Sequence, residues 1–117
     1  MIKQDDLVVS ITDSVRVAME KITRNRHRVV IVVDDGKVVG TVSDGDIRRA
    51  FLREVLPIAP VETIMNINCK VTMVRGADEQ RAAILREQVT VLPVVDESRK
   101  LLDIILAYEP FDESGTQ

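Results

Sequence analysis

The sequence predicts an α/β (α+β) fold built from two pseudo-symmetric β-α-β-β-α units packed sheet to sheet. Three observations predict it. First, the chain repeats itself: a shift of 62 positions places Val9 on Val71, Val15 on Ala77, Ile22 on Ile84 and Val33 on Val95. One extra residue before Lys100 makes the shift 63 beyond it, placing Val39 on Leu102 and Ser43 on Leu106. Second, each copy holds two short apolar runs separated by a polar turn, the pattern of a buried hairpin. Third, each hairpin follows a stretch with helical spacing. Two copies are too few for a solenoid, which needs about three or more. They suffice for a pair in which each copy covers the other's apolar sheet face.

The elements follow in order. Residues 7–11 read as a short strand, matched by 71–74. Thr12, Asp13 or Ser14 can cap the next helix by accepting a backbone N–H bond at its first turn. Val15, Ala18, Met19 and Ile22 then recur on one face, with Arg16, Glu20, Lys21 and Arg24 on the wet side. The counterpart helix spans about 77–88, with Ala83, Ile84 and Ala82 inward. Residues 29–33 and 38–42 form strands around Asp34-Asp35-Gly36, and an Asp-Gly turn between Val-rich runs is a strong hairpin signal. Residues 92–95 and 101–106 repeat the hairpin. Pro93 cannot donate a ladder bond and belongs at the start or edge of its strand. Residues 46–52 form an amphipathic helix with Ile47, Ala50 and Phe51 inward. Pro57 and Pro60 mark the join, Pro60 opening a short helix through Met65. The units are thus 1–57 and 58–117. The second lacks a clear final helix, because residues 109–117 are short and polar, as if the chain were cut from a longer protein or a partner subunit supplied the missing cover.

Composition narrows the function classes. The chain has 117 residues, 45% hydrophobic but only 3% aromatic, so Val, Ile, Leu and Met build its core. A formal charge of −3 gives no basic footprint for nucleic acid. Cys69 is the single cysteine, which excludes an internal disulfide. It reads as an inert thiol near a strand start, and the lone His27 as an exposed loop residue. No apolar run approaches the ~20 residues a membrane span needs, and the N-terminus is no signal peptide. The expectation is a soluble cytoplasmic protein.

The chemistry-bearing stretch is Gly40-Thr41-Val42-Ser43-Asp44-Gly45-Asp46. With the Val-Val-Asp of the hairpin and Ile64-Met65 of the join, it resembles the site motif of CBS (cystathionine-β-synthase-type) domains, which pair into Bateman modules. The likeness spans about 8–109. The run 43–49 further resembles CBS pairs attached to sugar-nucleotide nucleotidyltransferases. The resemblance implies a regulatory module, not a catalyst, that binds an adenosine-type or other ribonucleotide such as AMP, ADP or ATP between the copies. It also implies a fused or partner catalytic domain and a homodimer.

By the same resemblance Asp46 binds ribose hydroxyls and Ser43 lies near phosphate. A carboxylate can accept two hydrogen bonds from a cis-diol. Gly45 beside a helix N-terminus lets an anion approach the backbone. Arg28 matches a family position that reaches phosphate, and Arg48 or Arg49 adds charge. Thr41 fills the motif's apolar position. Met73, Val74 and Val91 of the second copy are expected against the base. The mirror-image site is degenerate, with Asp103, Leu106 and Glu109 replacing Gly40, Ser43 and Asp46. No catalytic or metal-binding residue is assigned.

Other readings remain open. Residues 43–46 could instead be merely a helix cap, since Ser and Asp are favoured there. The chain could be a ligand-free dimerisation module, with Phe51, Leu52, Val55 and Leu56 as its apolar contact. Asp44 and Asp46 could instead hold Mg²⁺ or Mn²⁺ in a fragment of a nucleotide-sugar enzyme.

Overall fold

A computed structural model describes residues 4–108. A 3-10 turn at Gln4–Leu7 leads into β1 (Val8–Ser10), α1 (Val15–Asn25), β2 (Val29–Asp34), β3 (Lys37–Ser43) and α2 (Asp44–Leu52). A 3-10 turn at Val61–Thr63 precedes α3 (Ala77–Glu87), β4 (Val91–Val95) and β5 (Leu101–Leu106). The sheets are β1-β2-β3, with β1 parallel to β2 and β3 antiparallel to it, and the antiparallel pair β4-β5.

The alternation within β2 shows why two sheets stack. Val30 and Val32 pack with Val15, Ala18 and Ile22 of α1 and Ile47 and Ala50 of α2. Ile31, one residue out of phase, faces Val91, Val95, Leu101 and Ile104 of the second sheet. Successive side chains of a strand point to opposite faces, so a continuous Val/Ile run buries both. Behind β4, Leu92 packs on Ala83 and Ile84 of α3. The order is helices, sheet, sheet, helix, as the repeat predicts.

Local signals explain the element ends. Ser14 caps α1, its Oγ accepting from Val17 N at 3.2 Å. Asp35 (φ 52°) and Gly36 (φ 79°) both take the left-handed conformation between paired Asp34 and Lys37, the two-residue primed turn that suits a twisted hairpin. The ladder slips between Val32 and Val33, and again between Val94 and Val95. Val39 and Leu102 are the extra residues of these two bulges, so the repeat extends to a local irregularity.

Several expectations need correction. Residues 71–74 form no strand, only a single parallel bridge from Thr72 to Val94. Thr72 Oγ1 accepts from Val74 N at 3.4 Å, turning the chain away, a local side-chain bond competing with a ladder. Thr72 pairs with Val94 as Val9 pairs with Val32, so Thr72, not Val71, corresponds to Val9. Leu7 belongs to the 3-10 turn and Ala82 is exposed. Phe51 is 39% exposed, and the buried positions of α2 are Ile47 and Ala50. His27 is only 3% exposed, stacked on Tyr108 with ring centroids 4.5 Å apart. Pro60 precedes its short helix instead of opening it. Pro93 lies in mid-strand, but its carbonyl accepts from Thr72 N on the side away from β5, so its missing donor faces the sheet edge. The question of a final helix at 109–117 lies outside the described residues.

Candidate functional site

The two hairpins run side by side and are fastened at their tips. Val38 N donates to Arg99 O, Leu101 N donates to Gly36 O, and Arg99 Nε donates to Val38 O, each at 2.9 Å. At the other end, where β2 and β4 begin and β3 ends, the seam opens into a cleft of about 470 Å³. The first copy contributes Arg28, Thr41, Ser43, Asp46 and Arg49, and the second contributes Val91. These six expected site residues are thus brought together.

Four others are not. Gly45 and Arg48 lie on the first turns of α2 but do not line the cleft, and Arg48 is exposed. Met73 is 53% exposed, and Val74 packs with Leu92 beneath α3. Both are displaced because their segment is a bend where a strand was expected. Sequence reasoning missed Asn66, Asn68, Cys69 and Lys70, which form the wall contributed by the join. Thr41 and Asn66 exchange two backbone bonds, Thr41 N to Asn66 O at 3.1 Å and Asn66 N to Thr41 O at 2.8 Å. A Cβ on Gly40 would stand 2.9 Å from Asn66 O, so this glycine permits the close approach. Gly40 was the available signal for it.

Ser43 and Asp46 form a capping box. Ser43 Oγ accepts from Asp46 N at 3.2 Å, while Asp46 Oδ2 accepts from Ser43 N at 2.9 Å and Ser43 Oγ at 3.0 Å. The cap reading is therefore realised, and α2 begins at Asp44, two residues earlier than expected. The cap and the cleft wall are the same residues. Asp46 Oδ1 accepts from Arg49 Nη2 at 2.9 Å, and the Asp46 side chain is 16% exposed.

Arg28 also sits in the left-handed region, with φ 65°. A non-glycine residue held there is costly and persists only where its surroundings fix it. Three bonds do so: Asp44 N donates to Arg28 O at 3.0 Å, Thr90 Oγ1 to His27 O at 3.2 Å, and His27 N to Asn25 Oδ1 at 2.7 Å.

The electrostatics favour an anion. Arg28, Arg49 and Lys70 face the cleft, and Asp46 is the one acidic side chain among the described residues lining it. Burial pushes the Cys69 thiol above its ordinary pKa, against the opposing pull of the Arg99 guanidinium 4.0 Å away. Asp44 is exposed and off the cleft, and no group of three or more His, Cys, Asp or Glu converges among the described residues. No helix among them is long and apolar enough to cross a membrane.

Known proteins resemble this chain in sequence and in fold. Arabinose 5-phosphate isomerase GutQ of Escherichia coli O6:H1 is 30% identical over 109 residues, covering 90% of this chain and 34% of the isomerase. The chain thus spans about a third of the length of the curated relatives it matches (34%). They carry the name of an isomerase, where the sequence resemblance suggested a nucleotidyltransferase. Among solved structures, CBSX2 in complex with AMP is 25% identical, with TM-score 0.67 and coverage of 91% of this chain and 85% of that one. CBS domains of a transcriptional regulator from Streptococcus pneumoniae share the fold at 17% identity, with TM-score 0.69 and coverage of 91% and 87%. A CBS domain protein from Pyrobaculum aerophilum complexed with AMP does so at 17% identity, TM-score 0.65 and the same coverages of 91% and 87%. Residues 1–53 match the family model of the CBS domain, and the chain as described has the fold of these solved CBS proteins.

Proposed function

We propose that the chain is a regulatory nucleotide-sensing module of two CBS units, 1–57 and 58–117. Its cleft takes an adenosine-type ribonucleotide, AMP being the first candidate. The observation that carries this reading is one carboxylate, Asp46, in a seam cleft that Arg28, Arg49 and Lys70 also line. A carboxylate suits a ribose diol, and guanidinium and ammonium groups suit phosphate. The AMP held by two proteins of the same fold supports the choice of ligand. The mirror position is occupied by Leu106, whose hydrocarbon offers phosphate nothing.

The module acts on a catalytic domain, fused or separate. The GutQ relatives support a sugar-phosphate isomerase as that host. Binding biases the host only if the nucleotide has unequal affinity for two arrangements of the copies. The module itself carries out no chemistry in this reading, and a cytoplasmic host fits it.

Calorimetric titration with AMP, ADP and ATP tests the reading. At least one binds the wild type, and Asp46→Ala weakens it on the order of tenfold to a hundredfold, the loss of a charge-assisted contact to the sugar. Equal heats for wild type and variant would overturn it.

A second reading, a homodimerisation module, has its own support. Leu52 (80%), Leu56 (65%) and Ile58 (82%) are exposed, together with Phe51, at the end of α2 and in the segment that follows it. The two readings are compatible, since these residues do not line the cleft.

A further inference from the structure

Arg49 covers the carboxylate that the ligand needs. Its Nη2 donates to Asp46 Oδ1 at 2.9 Å, while Ser43 N and Oγ together fill Oδ2. A carboxylate offers about four lone-pair sites, two on each oxygen. In the resting geometry a single site, on Oδ1, is left over. Gripping both hydroxyls of a cis-diol takes two. One of these donors must therefore withdraw before the diol is fully held, and Arg49 is the exposed one.

The same guanidinium overlies the start of α2. A Cβ added to Gly45 would meet Arg49 Nη1 at 3.1 Å and Nη2 at 3.3 Å. The guanidinium is thus held between the Asp46 carboxylate and the first turn of α2.

We propose that Arg49 is an internal latch, released by the ligand's phosphate and not by its sugar. Arg49 then sets the preference for phosphorylated ribonucleotides over nucleosides. The inference rests on the cleft being a ribonucleotide site. Release is cheap, because the Arg49 side chain is 62% exposed and exposed ion pairs are weak. A phosphate gives the departing guanidinium a new bidentate anion. A nucleoside gives it none, so its diol must break the Asp46 pair without compensation.

Calorimetry with AMP and adenosine on wild type, Arg49→Met and Arg49→Lys tests this. In wild type AMP binds more tightly than adenosine. Arg49→Met strengthens adenosine several-fold and weakens AMP, so the AMP-to-adenosine preference falls on the order of tenfold or more. Arg49→Lys, which keeps the charge but loses the planar fork, falls between. Arg49→Ala serves the same purpose if the methionine variant folds poorly. Equal changes for both ligands, or none, overturn the latch while leaving the nucleotide site standing. If wild type binds neither AMP nor adenosine, the nucleotide reading falls and the latch with it.

Discussion

Asn25 is fully buried, and its amide does three things at once. Nδ2 donates to Asp6 O at 2.8 Å and to Val29 O at 3.1 Å, and Oδ1 accepts from His27 N. These bonds hold the left-handed backbone of Arg26 and Arg28 on either side of His27. Asn25→Ala leaves buried polar groups unsatisfied, each worth about 1–3 kcal/mol, and should lower stability by about 2–4 kcal/mol in urea denaturation. It should also weaken nucleotide binding, since it loosens Arg28 without touching the cleft. Nothing in the sequence announces this. A motif of adjacent residues made Ser43 and Asp46 legible, and Arg28 stood at a matching position. Asn66 and Cys69 act through contacts across the fold, and Asn25 reaches back to Asp6, which spacing along the chain does not encode.

Secondary structure was most legible where composition and turn chemistry agreed. Asp35-Gly36 between two Val runs specified its hairpin, and helical spacing located α1 and α3. The strand expected at 71–74 failed because a polar Thr took the position of Val9 and bonded locally. Leu52 lies at the end of α2, so the pattern could not separate a core face from a patch awaiting a partner. The connection between β4 and β5 carries its own prediction. Asp96 Oδ1 accepts from Ser98 Oγ at 2.7 Å, Ser98 N at 2.9 Å and Lys100 N at 2.9 Å. The Ser98 hydroxyl, helped by these backbone donors, holds the Asp96 pKa below its ordinary value. A carboxylate with a depressed folded-state pKa stabilises the native protein above its unfolded pKa. That contribution is lost as pH falls through the folded value. Asp96→Ala should therefore lower the melting temperature at neutral pH and leave a smaller difference from wild type in strong acid. An equal difference at both pH values would show that the loop does not depend on the ionised form.

At the scale of the molecule, the alternation of β2 between two cores made the stacking of sheets predictable. The repeat gave the pairing of the copies. Leu52, Leu56 and Ile58 are among the large apolar side chains that internal packing leaves exposed. A second copy of this chain is the partner that the homodimer reading assigns to them. Light scattering of the wild type should then give twice the chain mass. Leu52→Asp and Ile58→Asp should each give a monomer with AMP binding intact. A monomeric wild type, or variants that stay paired, would place the dimer contact elsewhere or remove it.

The bonds between Arg99, Val38, Gly36 and Leu101 resemble the spring of a clothes-peg. Besides the pinned tips, a second tie spans the copies at the cleft end, where Thr90 Oγ1 donates to His27 O at 3.2 Å. If a guest in the cleft parts that second tie, the pinned tips become the pivot about which each copy carries its helices. Whatever is tethered to those helices would feel the guest without ever touching it.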